Sequence, residues 1–319
     1  ALARLPEETA PFDRSEVLLD LASLLHATGK GEEGLAMANE ALTIRRRLFG
    51  DEDPRTAQAL SDRAFMNDAD PVSAEQDARE ALRVVRRAGD GAKEVDLLNA
   101  LGKALEGQDR YDEAAEVYRQ RMELVGEVLG ADGTLYAASS GNVARALHAA
   151  GRYAEAARAW EVSIRLTSET YGPESAVAAS SLLAASHTAE KAGRSASALS
   201  LTERAHAASR GLDSTSSTRA MSSLYLGRRL LDARRPDDAV GPLREAVAAR
   251  SVFERAIHRQ LDDVVAAEAD ALLGEAHVAL GRTEEGRSWL TRAARALRET
   301  LGPEAPATLR AQAALGHAR

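Results

Sequence analysis

The sequence has no cysteine, only 12 aromatic residues in 319 (four Phe, two Trp, six Tyr), and only four lysines among its 41 basic residues. Without cysteine there is no disulfide framework, thiol nucleophile or Cys-ligated zinc, and an intracellular, cytoplasmic setting is the simpler expectation. Scarce aromatics and an apolar set dominated by Ala and Leu disfavour a β-rich fold and favour helices packed through small side chains. No apolar run reaches the roughly 18 residues that cross a bilayer, and the opening stretch ALARLPEETAPFD lacks the apolar core of a signal peptide, so no membrane association is expected. A net charge of −8 argues against nucleic acid as a partner, because phosphate affinity comes from basic surface.

What the sequence does contain is a repeat. A small residue, a short polar turn and an apolar helix recur as GKGEEGLAMANEAL from Gly29, QDRYDEAAEVYRQ from Gln108, GRYAEAARAWEVS from Gly151 and GRSASALSLTERA from Gly193. Weaker copies are RRPDDAVGPLREA from Arg234 and GRTEEGRSWLTRA from Gly281, and DADPVSAEQDAREAL supplies the second copy. The small residue four or five places after each turn, at Gly34, Ala74, Ala114, Ala156, Ala198, Ala239 and Gly286, gives spacings of 40, 40, 42, 42, 41 and 47. Near-equal steps of this length mark an array of supersecondary units.

Each unit reads as two helices. The first carries an i, i+3, i+4, i+7 apolar stripe, as in Leu18, Leu21, Ala22 and Leu25, or Leu98, Leu101, Gly102 and Leu105, or Val143, Ala144 and Leu147. The second carries Ala114, Tyr118, Leu124 and Val128 in copy three, and Ala156, Trp160, Ile164 and Thr167 in copy four. Ala22, Gly102, Ala144, Gly227 and Gly274 are small where two helices must approach. Gly50 to Pro54, Gly89 to Gly91, Gly130 to Gly133, Gly172-Pro173 and Gly302-Pro303 are the breakers between units. First helices are predicted to begin near residues 15, 54, 94, 136, 178, 219 and 266. The 47-residue step predicts a long or kinked second helix in copy six, from Ala239 onward, since AVAARSVFERAIHRQLDDVV belongs to a stretch with one early Gly-Pro and then no breaker.

The order Leu-Gly/Ala, Leu or an aromatic, then Gly-Arg-Tyr, Ala, aromatic, Ala resembles the tetratricopeptide repeat (TPR) superfamily. The unit length near 42 and the ends LFGDEDPRT and LGPEAPATL are similar to the variety found in kinesin light chains and bacterial signalling proteins. The resemblance spans roughly residues 15 to 319 and departs from the pattern in copy two, which loses a turn residue, in copy five, with Ser195 in the usual Tyr place, and in copy six, with Pro236 there. It implies an all-α, right-handed superhelical α-solenoid: an N-terminal segment at 1–14, seven hairpins at 15–303, and at 304–319 the first helix of a truncated eighth repeat or a cap. The absence of an initiator Met and the lone final helix TLRAQAALGHAR lead to the expectation that the chain is a piece of a longer protein.

Catalytic chemistry finds little footing. The seven histidines form no HxxxH or HExxH pair, no GxSxG surrounds the serine clusters, and no GxxxxGK[ST] or strand-linked GxGxxG is present. Neither metal nor other cofactor is expected, and the chain is read as a non-enzyme. Acidic pairs Glu32-Glu33, Asp237-Asp238 and Glu284-Glu285 recur at the start of second helices, where the helix dipole favours negative charge. Trp160 and Trp289 are assigned to the core.

The resemblance then implies a protein- or peptide-binding scaffold, or alternatively a sensor or autoinhibitory region of a larger signalling enzyme such as a Ser/Thr kinase or nucleotide-switch ATPase, or a peptide-responsive regulator. In the second case the catalytic domain would lie elsewhere in the same full-length chain. In TPR-like hairpins the groove is lined from the first helix, one residue after the small place. Those residues are Ser23, Asp62, Lys103, Arg145, His187, Arg228 and Glu275, so four central copies present a basic ladder. Asn99 and Asn142 lie about one turn before Lys103 and Arg145, with His148, Lys191 and Tyr225 flanking. This resembles the carboxylate-clamp and asparagine arrangements of peptide-binding TPR domains and predicts an acidic peptide or carboxylate-bearing partner. The alternative is a solvated face whose cations pair with Glu106, Glu190 or Asp232.

Overall fold

A computed structural model describes residues 11–131, 133–213, 216–249 and 259–318. Among them are fifteen α-helices and no strand. Fourteen form seven consecutive hairpins: α1 (Pro11–Ala27) with α2 (Gly31–Phe49), α3 (Pro54–Met66) with α4 (Pro71–Ala88), α5 (Gly91–Glu106) with α6 (Tyr111–Leu129), and α7 (Thr134–Ala149) with α8 (Tyr153–Tyr171). The series continues with α9 (Ala176–Lys191) and α10 (Ser195–Ser209), α11 (Ser217–Asp232) and α12 (Pro236–Ala248), and α13 (Arg259–Ala279) and α14 (Thr283–Leu301). Helix α15 (Pro306–His317) follows alone. The fold is therefore an all-α solenoid of TPR-like hairpins with a terminal helix.

Local chemistry sets the helix ends. Pro occupies the first position of α3, α4, α12 and α15, where its missing N–H costs nothing. The Asp53, Asp70 and Asp90 carboxylates accept from the backbone N–H of Arg55, Ser73 and Lys93 at 2.9, 3.1 and 3.1 Å, capping α3, α4 and α5. Gly50 and Gly302 end α2 and α14 at φ of 80° and 88°, a conformation that penalises any Cβ.

Two compact units divide the chain, residues 1–166 and 167–319. Within unit 1, α1 touches α3 and α3 touches α5, while α2, α4 and α6 each pack on their own first helix and on the next one. The same scheme holds in unit 2, where α9, α11, α13 and α15 contact in succession and α10, α12 and α14 bridge them. All seven small anchors, from Gly34 to Gly286, are buried at these helix crossings. At Gly102 the need is absolute, since a Cβ there would run into the Tyr118 ring. Trp160 is buried as assigned, Trp289 is half-buried against the unit 2 core, and Val128, which continues the α6 stripe, is 45% exposed.

Two helix lengths differ from the sequence reading. Helix α1 begins at Pro11, and Ser15 is already buried, its hydroxyl accepting from Arg45 Nε at 3.1 Å. The expected long second helix of copy six is not formed as such: α12 stops at Ala248, and the first helix of copy seven instead runs 21 residues from Arg259. No breaker favours one helix over the other there, and burial of Ala266 and Ala267 rewards growth of α13. The rest of that expectation falls on 250–258, outside the described residues.

Candidate functional site

In unit 1, α5 and α7 bring four of the predicted site residues together. Asn142 Nδ2 donates to Asn99 Oδ1 at 3.2 Å, and Arg145 donates to Asn142 Oδ1 at 3.2 Å. Arg145 also pairs with Glu106 at 3.0 Å. Glu106 is anchored in turn, accepting from the Tyr118 hydroxyl at 3.2 Å; burial pushes that phenol up, so it remains a donor. Lys103 contacts the preceding hairpin. Its Nζ lies 2.7 Å from Asp68, 3.4 Å from the Phe65 carbonyl oxygen and 4.9 Å from the Phe65 ring centre. Lys103, Glu106 and Arg145, with Asn67, Asp68 and Tyr111, line a cleft of about 460 Å³ floored by Ala64, Ala74 and Ala104. His148 turns away toward its own hairpin, its ring 5.4 Å from that of Tyr153.

The unit 2 residues have different surroundings. His187 is exposed on α9, its Nδ1 3.4 Å from Glu190, and Lys191 is exposed one turn further on. Arg228, expected among the groove-lining residues, has a side chain that is only 28% exposed, pairs with Glu268, and lies with its guanidinium 5.9 Å from the Tyr225 ring centre. Burial pushes that guanidinium down, and Arg228 Nε is buried with no hydrogen-bond partner among the described residues. Asp232, offered above as an alternative partner, pairs instead with Arg310 at 2.9 Å.

Every basic residue of the ladder thus faces a carboxylate of its own unit. Two of these, Asp68 and Glu268, were absent from the sequence reading because they come from neighbouring hairpins, 35 and 40 residues away in sequence. A third omission is Arg229, buried beside Arg228, whose Nε donates to Thr202 at 2.9 Å and whose Nη2 reaches Glu190 at 3.1 Å. Its place between Leu226 and Leu230 on the core stripe was the available signal. Among the described residues no group of three or more His, Asp or Glu could hold a metal ion, and no helix is long and apolar enough to cross a membrane.

Comparison with known proteins bears on the repeat architecture. The tetratricopeptide repeat family model matches residues 13–71 and 96–167, the stretches that form most of unit 1. Among solved structures, BtubC (BKLC) from P. vanneervenii is similar at 19% identity and a TM-score of 0.59, over 76% of this chain and 94% of that one. RapI in its apo form is similar at 10% identity and 0.56, over 96% and 97%, and PilF from Pseudomonas aeruginosa at 18% and 0.50, over 79% and 97%. No curated protein sequence matches the chain. Residues 13–71 and 96–167 thus match tetratricopeptide repeats, and the hairpins of unit 2 repeat the same helix-pair architecture.

Proposed function

We propose that the chain is a non-catalytic scaffold that binds a protein segment, and that the unit 1 cleft takes an extended acidic peptide or another carboxylate-bearing partner. The observation that carries this reading is that Lys103 and Arg145, from two adjoining first helices, line one cleft, with Asn142 accepting from Arg145 and donating in turn to Asn99. Cations there attract carboxylates, and amides can serve the backbone of an extended peptide. The Lys103–Asp68 pair is exposed at both ends, 40% and 61%, and such pairs contribute about 1 kcal/mol or less, so a partner can exchange for it at small cost. Glu106 is 19% exposed and anchored by Tyr118, so it stays on Arg145 and orients it. Contact with the partner is assigned to unit 1 alone, because burial and Glu268 withhold Arg228.

Attraction between surface charges is screened over about 10 Å at 0.1 M salt, so binding weakens as salt rises. The test is affinity capture of partners with the wild-type chain and with the double variant Lys103→Glu/Arg145→Glu. Loss of the captured partner with the helical circular dichroism retained is expected. Unchanged recovery would remove the acidic-ligand reading.

A further inference from the structure

The turn joining α3 to α4 departs from the other six hairpin turns of the chain. In those, the residue just before the second helix is basic: Lys30, Arg110, Arg152, Arg194, Arg235 and Arg282. It is preceded by a residue in the left-handed region, Gly29, Asp109, Gly151, Gly193, Arg234 or Gly281. In copy two the place before α4 is held by Asp70, and Ala69 before it has no positive φ. Asn67 Oδ1 accepts from the Asp70 N–H at 3.2 Å and Asp70 caps α4, which fixes the turn at both ends and presents Asp68 between them. The result is a carboxylate 2.7 Å from Lys103 Nζ, at the edge of the cleft and contributed by the preceding hairpin.

We propose that Lys103, with the Phe65 ring beside it, is a subsite for one aspartate or glutamate side chain of the partner, and that Asp68 fills it in the free protein as a built-in competitor. This rests on the acidic-partner reading of the same cleft. Phe65 is 44% exposed, with its ring 5.9 Å from the His26 ring and 4.9 Å from Lys103 Nζ. A partner residue that takes the carboxylate place can therefore lay its methylene groups on that ring while its charge meets the ammonium. Asp68, reaching from a fixed turn, supplies the charge without continuing a peptide along α5 and α7. The competitor sets a threshold: a segment with one weak carboxylate contact does not displace it, and one with several does.

Fluorescence anisotropy with a fluorescein-labelled octaglutamate peptide at low salt tests this on the full chain. Four proteins are compared: wild type, Asp68→Asn, Lys103→Glu/Arg145→Glu, and Glu32→Gln, an exposed carboxylate on α2 whose loss changes net charge equally. Asp68→Asn is expected to bind about two- to five-fold tighter than wild type, the range set by one exposed ion pair, with Glu32→Gln unchanged. If Asp68→Asn and Glu32→Gln bind alike while the double variant binds less, the competitor role is wrong and the acidic cleft stands. If the double variant binds as well as wild type, both fall.

Discussion

The two units build the same hairpins around different interiors. Unit 1 has one continuous apolar cluster from α1 to α8, with Leu60, Leu97, Leu98, Leu105 and Leu147 and the Tyr118 ring sealed inside. In unit 2 the α9–α11 region buries Ser181, Ser186, Thr188, Thr202, Ser209, Ser222, Ser223 and Arg229 among Ala178, Ala179, Leu182, Ala198 and Ala205, and a leucine cluster that includes Leu224, Leu230, Leu243 and Leu272 lies further along the unit. Hydrogen bonds join these polar groups: Thr202 to Ser186 at 3.0 Å, Ser209 with Ser222 at 2.7 Å, Arg229 to Thr202 at 2.9 Å. A buried leucine is worth about 1.5–3 kcal/mol of transfer free energy, whereas a typical internal hydrogen bond nets about 0.5–1.5. Hairpin geometry is thus compatible with either interior, and the difference should appear as unequal stability along the chain.

The largest expected effect comes from opening the apolar interior. Leu98→Ala should cost about 2–5 kcal/mol in urea denaturation, because a fully enclosed site cannot collapse around the cavity. A loss below about 1 kcal/mol would show that the unit 1 core is looser than its burial implies. Next is the polar interior. Arg229→Met strips Thr202 and Ser186 of a donor and should cost about 1–3 kcal/mol. A double-mutant cycle with Thr202→Val checks it, since zero coupling would mean that the network is incidental.

Acid sharpens the comparison further. Burial pushes His206 down, with Glu245 opposing and Arg210 and Arg219 adding to the shift. His206 Nδ1 sits 3.3 Å from Ser223 Oγ and Nε2 4.0 Å from Glu245. Burial likewise lowers His277, against Glu285 and with Arg282 and Arg244. The folded state keeps both rings neutral while the unfolded chain protonates them near 6.5, so this stability is complete above about pH 6.5 and is lost as pH falls toward the folded values. Unit 1 responds lower. Hydrogen bonding from Arg55 holds Asp53 at about 2. Burial raises the Glu75 carboxyl, but hydrogen bonds from Gln108 and Arg79 and the Arg110 charge outweigh it and leave it below its ordinary value. Those contributions fade only below about pH 4. Hydrogen exchange at about pH 7 and about pH 5.5 should show α10 and α11 losing protection before α3 and α5. Simultaneous loss would erase the distinction. The smallest effect is expected at the cleft, where Lys103→Glu/Arg145→Glu should change stability by about 1 kcal/mol or less, both side chains being substantially exposed.

The array was legible because its determinant is local. A small residue must recur wherever two helices cross, and all seven anchors found by spacing are buried. Helix starts at Pro54 and Ala176 fall where the breakers put them, while the α12–α13 region did not, because no breaker separates two helices that could both grow. Charge pairing was less legible. Glu106 and Glu190 were foreseen as acidic partners for the ladder, but not which basic residue each meets: Arg145–Glu106, like Lys103–Asp68 and Arg228–Glu268, forms only through stacking of neighbouring hairpins. The polar α9–α11 interior was hidden for a similar reason: Ser and Thr satisfy the small-residue pattern as well as Ala does, and the pattern does not say that their hydroxyls will find one another.

The most direct test sets a unit 1 cation pair against a unit 2 cation. Partner retention is measured for wild type, for Lys103→Glu/Arg145→Glu, and for Lys191→Glu, which reverses an exposed charge on α9. Loss of the partner in the unit 1 variant alone is the result predicted by a binding cleft built on α5 and α7. Equal loss in the Lys191→Glu protein, or no loss in either, would contradict it.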